Sequence, residues 1–136
     1  MSEKERPKVG LGVIVIKKDK VLLGKRKNAH GTRTWCFPGG HLKFYKAFQD
    51  CALREIQEET WLIVDLIDTT TNNVTNDFFV QEKRHYIALY LRTEYVAGKP
   101  EVNEPEKWDW FEWNKLPKPL FLPIVNLLKQ EYNHFI

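Results

Sequence analysis

The segment from Gly39 to Leu62 decides the fold, and it reads GGHLKFYKAFQDCALREIQEETWL. From Ala47 to Thr60 the apolar residues recur at helical spacing, which predicts an α-helix shortly after a Pro-Gly-Gly turn. Counting about 100° of rotation per residue, a first group of side chains is expected to face the core. That group consists of Phe48, Cys51 and Ala52.

Acidic side chains occupy the same side of the predicted helix. At about 100° per residue, three glutamates continue the apolar stripe near the helix C-terminus: Glu55, Glu58 and Glu59. Like charges three or four residues apart cost a few tenths of a kcal/mol each, and the helix dipole adds a further penalty there. A divalent cation would reverse both penalties, since carboxylate oxygens are ligands that Mg²⁺ and Mn²⁺ prefer. The alternative interpretation is a solvated acidic face.

The arrangement resembles the Nudix hydrolases, and within them the MutT-like nucleoside triphosphate pyrophosphohydrolases. Gly40 opens the family's sequence box, the stretch REIQEET from residue 54 to 60 carries its core, and Leu62 closes it. Two positions depart from the box: Lys46 stands where the family has Glu, and Trp61 stands where it has Gly. The preceding WCFPGG and the late tryptophan-containing strand also resemble the family.

The resemblance implies a metal centre and a catalytic group. As metal ligands for Mg²⁺, or alternatively Mn²⁺, it implies the Gly40 carbonyl and acidic side chains: Glu55, Glu58, Glu59 and either Glu104 or Glu106 from the loop before the last strand. As catalytic residues it implies Glu55, Arg54 and Glu58, with Arg54 orienting Glu55 and Glu55 helping to deprotonate the attacking water. For Glu104 and Glu106, an ordinary acidic loop is the alternative.

Residues around the glycine pair are candidates for binding substrate. Gly39 lets the backbone approach a phosphate or ion closely. Arg26 is favoured as a phosphate contact, because strand alternation turns it away from Lys25 and Lys27. His41 is a candidate for touching a phosphate or the water. Two aromatic side chains are candidates for a base-stacking wall, with ordinary core packing as the alternative: Trp35 and Phe37.

The remaining pattern predicts an α+β fold, a Nudix-like αβα sandwich with a mixed sheet between helices. Strands are predicted at 8–16, 21–27, 35–37, 62–67, 74–80, 86–96 and 108–113, and a closing helix at 121–132. The first strand is apolar throughout, which predicts burial on both faces. We expect a single domain over residues 1–136, with 1–7 as a flexible tail.

Composition limits the possible partners and location. The 136 residues carry a net charge of +3, too mild to indicate a nucleic-acid binder by itself. No apolar stretch approaches the roughly 20 residues of a membrane span, and no export signal is visible. Cys36 and Cys51 lack metal spacing and are expected to be reduced thiols. These observations predict a cytoplasmic protein with no membrane partner. With the resemblance added, we expect a nucleotide substrate, no stable nucleic-acid partner, and a monomer or homodimer.

The resemblance therefore implies Mg²⁺-dependent hydrolysis of a nucleoside triphosphate, a dNTP or an oxidised purine dNTP, to a monophosphate and pyrophosphate. Lys46 and Trp61 leave a second hypothesis open, a Nudix-fold nucleotide-binding protein with impaired or no catalysis. A third is hydrolysis of another nucleoside diphosphate-linked substrate. A protein-interaction module built on the aromatic strand near Trp108 is the last alternative.

Overall fold

The computed structural model describes residues 5–27, 31–67, 73–101, 105, 107–130 and 132. The expected tail therefore lies partly outside the described residues. The strands are β1 (Lys8–Lys17), β2 (Lys20–Lys25), β3 (Trp35–Cys36), β4 (Gly39–His41), β5 (Ile63–Leu66), β6 (Val74–Phe79), β7 (Arg84–Ala97) and β8 (Lys107–Glu112). The helices are α1 (Phe48–Thr60) and α2 (Leu122–Lys129), and a short 3-10 turn spans Trp113–Lys115.

The strands form one mixed sheet around β1 and β7, which run parallel and pair from Lys8 opposite Tyr86 to Ile16 opposite Glu94. On its other edge β1 pairs with β4 through its first half and with β2 at its end. Similarly, the first half of β7 pairs with β6 and its second half with β5. β2 goes on to pair with β8 and β3.

Two hydrophobic clusters lie on opposite faces of the sheet. Val13 and Val15 belong to the cluster that contains the α1 residues Cys51, Ala52 and Ile56. Ile14, between those valines, belongs to the cluster that contains the α2 residues Ile124 and Leu127. Because neighbouring strand residues point to opposite faces, α1 and α2 cover different faces of the sheet. The predicted αβα sandwich and the burial of β1 on both faces are confirmed.

The helix α1 forms where it was predicted, but its buried side is rotated modestly about the helix axis from the predicted one. Cys51 and Ala52 are buried as expected, and Ile56 and Thr60 complete the buried stripe. The centre of that stripe therefore lies further round the helix than the predicted one. As a result Glu58 is exposed rather than aligned with the core side.

The Gly39–Gly40 pair was predicted as a turn, but it belongs to strand β4. It pairs with Gly12 and Leu11 of β1 in antiparallel register. A Cβ atom on Gly39 would lie 1.9 Å from the Leu11 carbonyl oxygen, so only glycine permits this approach. The pairing brings the start of the box segment directly against the central strand.

Two further expectations concern the thiols and the membrane. Cys36 and Cys51 are both free, and Cys51 is buried on α1, as predicted. In the described part of the chain, no helix has the length and apolar character that crossing a membrane requires.

Candidate active site

An open cavity of about 410 Å³ lies where β1 and β7 begin. Its wall combines residues of the central strands, β4, β6, α1 and the start of α2. Seven predicted site residues line it: Arg26, Phe37, Gly39, Gly40, His41, Glu55 and Glu59. One end is therefore acidic, while aromatic and aliphatic side chains line other parts of the wall.

The acidic end is built by close contact between Gly40 and Glu55. A Cβ atom on Gly40 would lie 2.7 Å from both Cδ and Oε1 of Glu55. The absence of a side chain at position 40 thus creates the space that the Glu55 carboxyl group occupies. Strand β4 and helix α1 each contribute one side of this contact, so its geometry depends on their packing.

Glu55 and Glu59 form a pair of carboxyl groups at this end of the cavity. They lie one helical turn apart on α1, are both half-buried, and hydrogen-bond through their side chains. Burial raises the pKa of Glu55, and the negative charge of Glu58 raises it further. The hydrogen bond from Glu59 and the charges of Arg54 and Lys43 act in the opposite direction. Two acidic side chains held this close favour either a shared proton or a cation.

Glu58 and Arg54 lie on the outer side of the same helix. Arg54 Nε is 3.4 Å from Glu58 Oε1, and both side chains are substantially exposed. The resemblance implied that Arg54 orients Glu55; the structure places its guanidinium against Glu58, while its charge also acts on Glu55. Among the described residues, no group of three or more His, Cys, Asp or Glu side chains is arranged to hold a metal ion.

The donor set nevertheless fits Mg²⁺ in the way that phosphate-processing sites bind it. Mg²⁺ is usually held by one or two carboxylates, with substrate phosphates and waters completing the octahedron. Glu55 and Glu59 supply two carboxyl groups, and both line the open cavity, through which phosphates and waters can reach them. Glu104 and Glu106 lie outside the described residues, so their predicted contribution stays a prediction.

Arg26 is the predicted phosphate contact, and it reaches the cavity from the end of β2. Its guanidinium Cζ lies 4.1 Å from the centre of the Phe121 ring, which holds the group by a cation–π contact. Its Nη1 is 3.6 Å from the Cys36 sulfur. Burial raises the pKa of the Cys36 thiol, and the neighbouring Arg26 charge opposes that effect.

The two predicted stacking residues have different positions. Phe37 lines the cavity and packs edge-to-face on Tyr90, with ring centres 6.3 Å apart. Trp35 is not among the described residues of the cavity wall; it is buried edge-to-face against Phe111 at 5.0 Å. Phe37 is therefore placed to contact a ligand, whereas Trp35 supports the layer behind it.

His41 lies at the cavity mouth beside Tyr86. The two rings stack with centres 5.5 Å apart, and His41 Nε2 is 3.2 Å from the Tyr86 hydroxyl. Burial lowers the pKa of His41, and the charges of Lys8, Lys43 and Arg84 lower it further. The neutral imidazole is therefore favoured near pH 7.

The sequence interpretation missed a polar network in the cavity wall, to which Asp77 and Tyr90 belong. Asp77 is fully buried and accepts hydrogen bonds from Thr75 Oγ1 at 3.0 Å and from Asn126 Nδ2 at 2.9 Å. Tyr90 OH lies 2.8 Å from Thr75 Oγ1 and donates to the Pro123 carbonyl at 3.1 Å. Asp77 lies two residues after Thr75, on the same side of a predicted strand. A carboxyl group on the side expected to be buried was the signal that could have revealed this network.

This sheet, the helix-borne acidic pair and the glycine strand agree with an independent match to a known domain. The NUDIX domain model matches residues 6–130. The chain belongs to the Nudix family. Its box positions therefore lie on β4 and α1, with Lys46 exposed just before α1 and Trp61 at its C-cap. Trp61 adopts φ 64° and ψ 14°, a left-handed conformation that favours glycine at the end of a helix.

Several Nudix relatives are similar over most of the chain. The oxidized purine nucleoside triphosphate hydrolase of Danio rerio is 27% identical over 77% of this chain and 66% of its own length. The ADP-ribose pyrophosphatase of Methanocaldococcus jannaschii is 28% identical over 85% of this chain and 68% of its own length. The crystal structure of a MutT NUDIX hydrolase from Burkholderia pseudomallei superposes with a TM-score of 0.76, at 26% identity, covering 90% of this chain and 97% of that one. This chain thus spans about two thirds of the length of the first two relatives.

Proposed function

We propose that the protein is a Mg²⁺-dependent hydrolase that converts a nucleoside triphosphate, a dNTP or an oxidised purine dNTP, to a monophosphate and pyrophosphate. The observation that carries the proposal is the hydrogen-bonded pair of Glu55 and Glu59 at one end of a cavity with aromatic walls. The name of the similar Danio rerio protein supports the substrate class. Mn²⁺ is the alternative cation.

The reaction would be attack of water on a phosphorus of the diphosphate bridge. A new P–O bond forms, the bridging P–O bond breaks, and pyrophosphate leaves. Mg²⁺ when bound neutralises phosphate oxygens and makes water more acidic. Glu55 is positioned by Gly40 to hold the cation or to accept the proton of the water. Both roles need its ionised form.

Other residues would bind and orient the nucleotide. Arg26, held against Phe121, offers a fixed cation to a phosphate group. Phe37 presents an aromatic ring to the cavity for the base. We also propose a cytoplasmic location, supported by the free thiols of Cys36 and Cys51, because such thiols persist in reducing compartments.

The test is turnover of a panel of NTPs and dNTPs, including oxidised purines, with Mg²⁺ and pyrophosphate detection. Glu59→Gln should reduce kcat by orders of magnitude, because the change removes a charge from the site but keeps its shape. Glu94→Gln, an exposed residue of β7, is the matched control and should retain full activity. No turnover of any nucleotide by the wild type would overturn the proposal.

The melting temperature separates the metal role from a purely structural one. Mg²⁺ that binds only the folded protein raises the melting temperature, and Glu59→Gln should weaken that shift. The side chain of Glu58 lies beside Arg54 rather than beside Glu55 and Glu59. The same measurement on Glu58→Gln therefore tests whether Glu58 belongs to the site. If Glu59→Gln keeps full turnover and the same Mg²⁺-dependent shift, Glu59 is not part of the site.

The second candidate is a Nudix-fold nucleotide-binding protein with impaired catalysis, and Lys46 and Trp61 favour it. Lys46 puts a positive charge where the family has a carboxylate, and Trp61 strains the end of the helix that carries the glutamates. The Lys46→Glu, Trp61→Gly double variant discriminates the two. A large rise in kcat would show an impaired enzyme. Turnover of ADP-ribose but of no triphosphate would favour the substrate named for the archaeal relative.

A further inference from the structure

A lysine side chain lies at the acidic end of the cavity. Lys43 follows strand β4 by two residues and lines the cavity wall. Its charge acts on Glu55 of helix α1 and on His41 at the cavity mouth, so the ammonium group lies within electrostatic reach of both. Within the described part of the chain, Lys43 forms no ion pair. Its positive charge is therefore open to an anionic ligand in the cavity.

The backbone on both sides of Lys43 fixes where its side chain begins. The Leu42 amide donates to the Val9 carbonyl of β1 at 3.0 Å, and the Leu42 side chain packs against the core cluster that contains the α1 residues. Directly after Lys43 the chain turns, and the Lys46 amide donates to the Lys43 carbonyl at 3.2 Å. The lysine stem therefore starts from an anchored position, and only its flexible chain has to adjust to a ligand.

The other side chains of this turn do not share that position. Phe44, Tyr45 and Lys46 are exposed, and none of them is among the described residues of the cavity wall. Lys43 and Lys46 carry the same charge and lie three residues apart, so they differ chiefly in whether they line the cavity. This pair therefore allows a cavity cation to be compared with a surface cation in the same turn.

The acidic end of the cavity needs positive charge if it is to accept phosphate groups. The carboxyl groups of Glu55 and Glu59 lie there, and the phosphate chain of a nucleotide brings further negative charges that they repel. Arg26 supplies one cation from the residue after β2. Lys43 supplies another from the connection between β4 and α1, where its charge acts on Glu55. Cations from two separate elements can fix both the position and the direction of a phosphate chain.

We propose that Lys43 binds the phosphate chain of the nucleotide beside the acidic pair, and that it makes the site favour nucleotides with more phosphates. A lysine ammonium group acts on phosphate as a compact point charge. Because this attraction is electrostatic, it should grow with the number of phosphates. The inference rests on the proposed function for the identity of the ligand, a nucleotide. The contact itself requires neither Mg²⁺ nor turnover.

Nucleotide affinity in EDTA measures the contact without metal and without reaction. The probes are dGTP, dGDP and dGMP, titrated by calorimetry at low ionic strength. Lys43→Gln should weaken dGTP binding about 10-fold, the loss expected when one charge-assisted contact disappears. It should weaken dGDP binding less and dGMP binding least.

The matched control is Lys46→Gln, which removes the same charge from the same turn and should leave dGTP affinity at the wild-type value. Lys43→Arg keeps the charge and should retain most of the affinity. Both lysine side chains are exposed, so these variants should fold, and a melting curve of each checks this.

Kinetics with Mg²⁺ separate binding from chemistry. Lys43→Gln should raise KM for the triphosphate and leave kcat nearly unchanged, as expected for an interaction made equally in the ground state and the transition state. A fall in kcat with unchanged dGTP affinity and KM would overturn the inference in favour of a role in the chemical step.

Three results in EDTA would also overturn the inference. Wild type that binds no dGTP, or Lys43→Gln that binds it as tightly as wild type, would show that Lys43 makes no such contact. An equal loss of affinity for dGMP and dGTP would place the contact away from the added phosphates. Lys46→Gln weakening dGTP binding as much as Lys43→Gln would show non-specific attraction.

The inference and the proposed function fail in different ways. Phosphate-dependent binding that requires Lys43, without turnover of any nucleotide, would refute the proposed function and leave this inference standing. Turnover of triphosphates by a Lys43→Gln protein with wild-type affinity and KM would do the reverse.

Discussion

Gly40→Ala probes the contact on which the candidate site depends. The new Cβ atom would lie 2.7 Å from Cδ and Oε1 of Glu55, whereas ordinary contacts begin at 3.4 Å, so the carboxyl group must retreat by about 0.7 Å. Gly40 does not have a positive φ, so alanine is compatible with its backbone. The colliding atoms are the end of a flexible side chain, which can move without unfolding the protein.

The expected effect is large on activity and small on stability. A displacement approaching 1 Å at a reacting group can cost about 10²-fold in rate, so kcat should fall by about that factor. The free energy of unfolding should change by less than about 1 kcal/mol, because alanine also restricts the unfolded chain. The Mg²⁺-dependent rise in melting temperature should shrink as well, since Glu55 is displaced from the cation.

The neighbouring glycines provide matched controls for this variant. Gly10→Ala places its Cβ 3.9 Å from Tyr86 and 4.0 Å from the Gly40 oxygen, so activity and stability should both persist. Gly39→Ala collides with the Leu11 carbonyl oxygen at 1.9 Å and should destabilise the pairing of β1 with β4. Steady-state kinetics and thermal melting of the three proteins provide the comparison. Wild-type kcat in a folded Gly40→Ala protein would refute the placement of Glu55 at the reacting centre.

Three further variants test local features of the fold. Trp61→Gly should raise the free energy of unfolding by about 1 kcal/mol, since it relieves a left-handed residue whose side chain is 63% exposed; a fall in melting temperature would contradict this. Burial raises the pKa of Asp77, so its contribution to stability is present at acid pH and is lost as pH rises through that pKa. Denaturation from pH 4 to 7 should therefore show wild type losing stability relative to Asp77→Asn, and a constant difference would be inconsistent with that cause. Tyr90→Phe should cost about 1–3 kcal/mol in urea melts by leaving the Pro123 carbonyl without its donor, and an unchanged midpoint would exclude a net contribution from that hydrogen bond.

The secondary structure was predictable where the local pattern is strong. The apolar β1 and the helical spacing of α1 both depend on periodicity that the chain shows without its neighbours. The predicted closing helix, by contrast, ends at Lys129 rather than at Tyr132. Its Pro123 near the start and its apolar stripe are local signals, but the end of a helix depends on what packs against its last turn.

The candidate site, too, has features that the sequence predicted and features that it did not. The glutamates and the glycine pair were identified from sequence because charges on an apolar helix face and paired glycines are costly without a function. The rotation of α1 was not predictable, since it is set by packing of Ile56 and Thr60 against the sheet, and it moves Glu58 outward beside Arg54.

The sequence by itself determined the family, the helix that carries the core of the box, and the group of three glutamates on that helix. Only the tertiary structure decided that Gly39 and Gly40 form a strand against β1, because that contact joins residues almost 30 positions apart. The Asp77 network likewise joins residues of separate elements, β6, β7 and α2. Local periodicity fixes which face of an element is apolar, whereas register and packing between elements fix which polar groups meet.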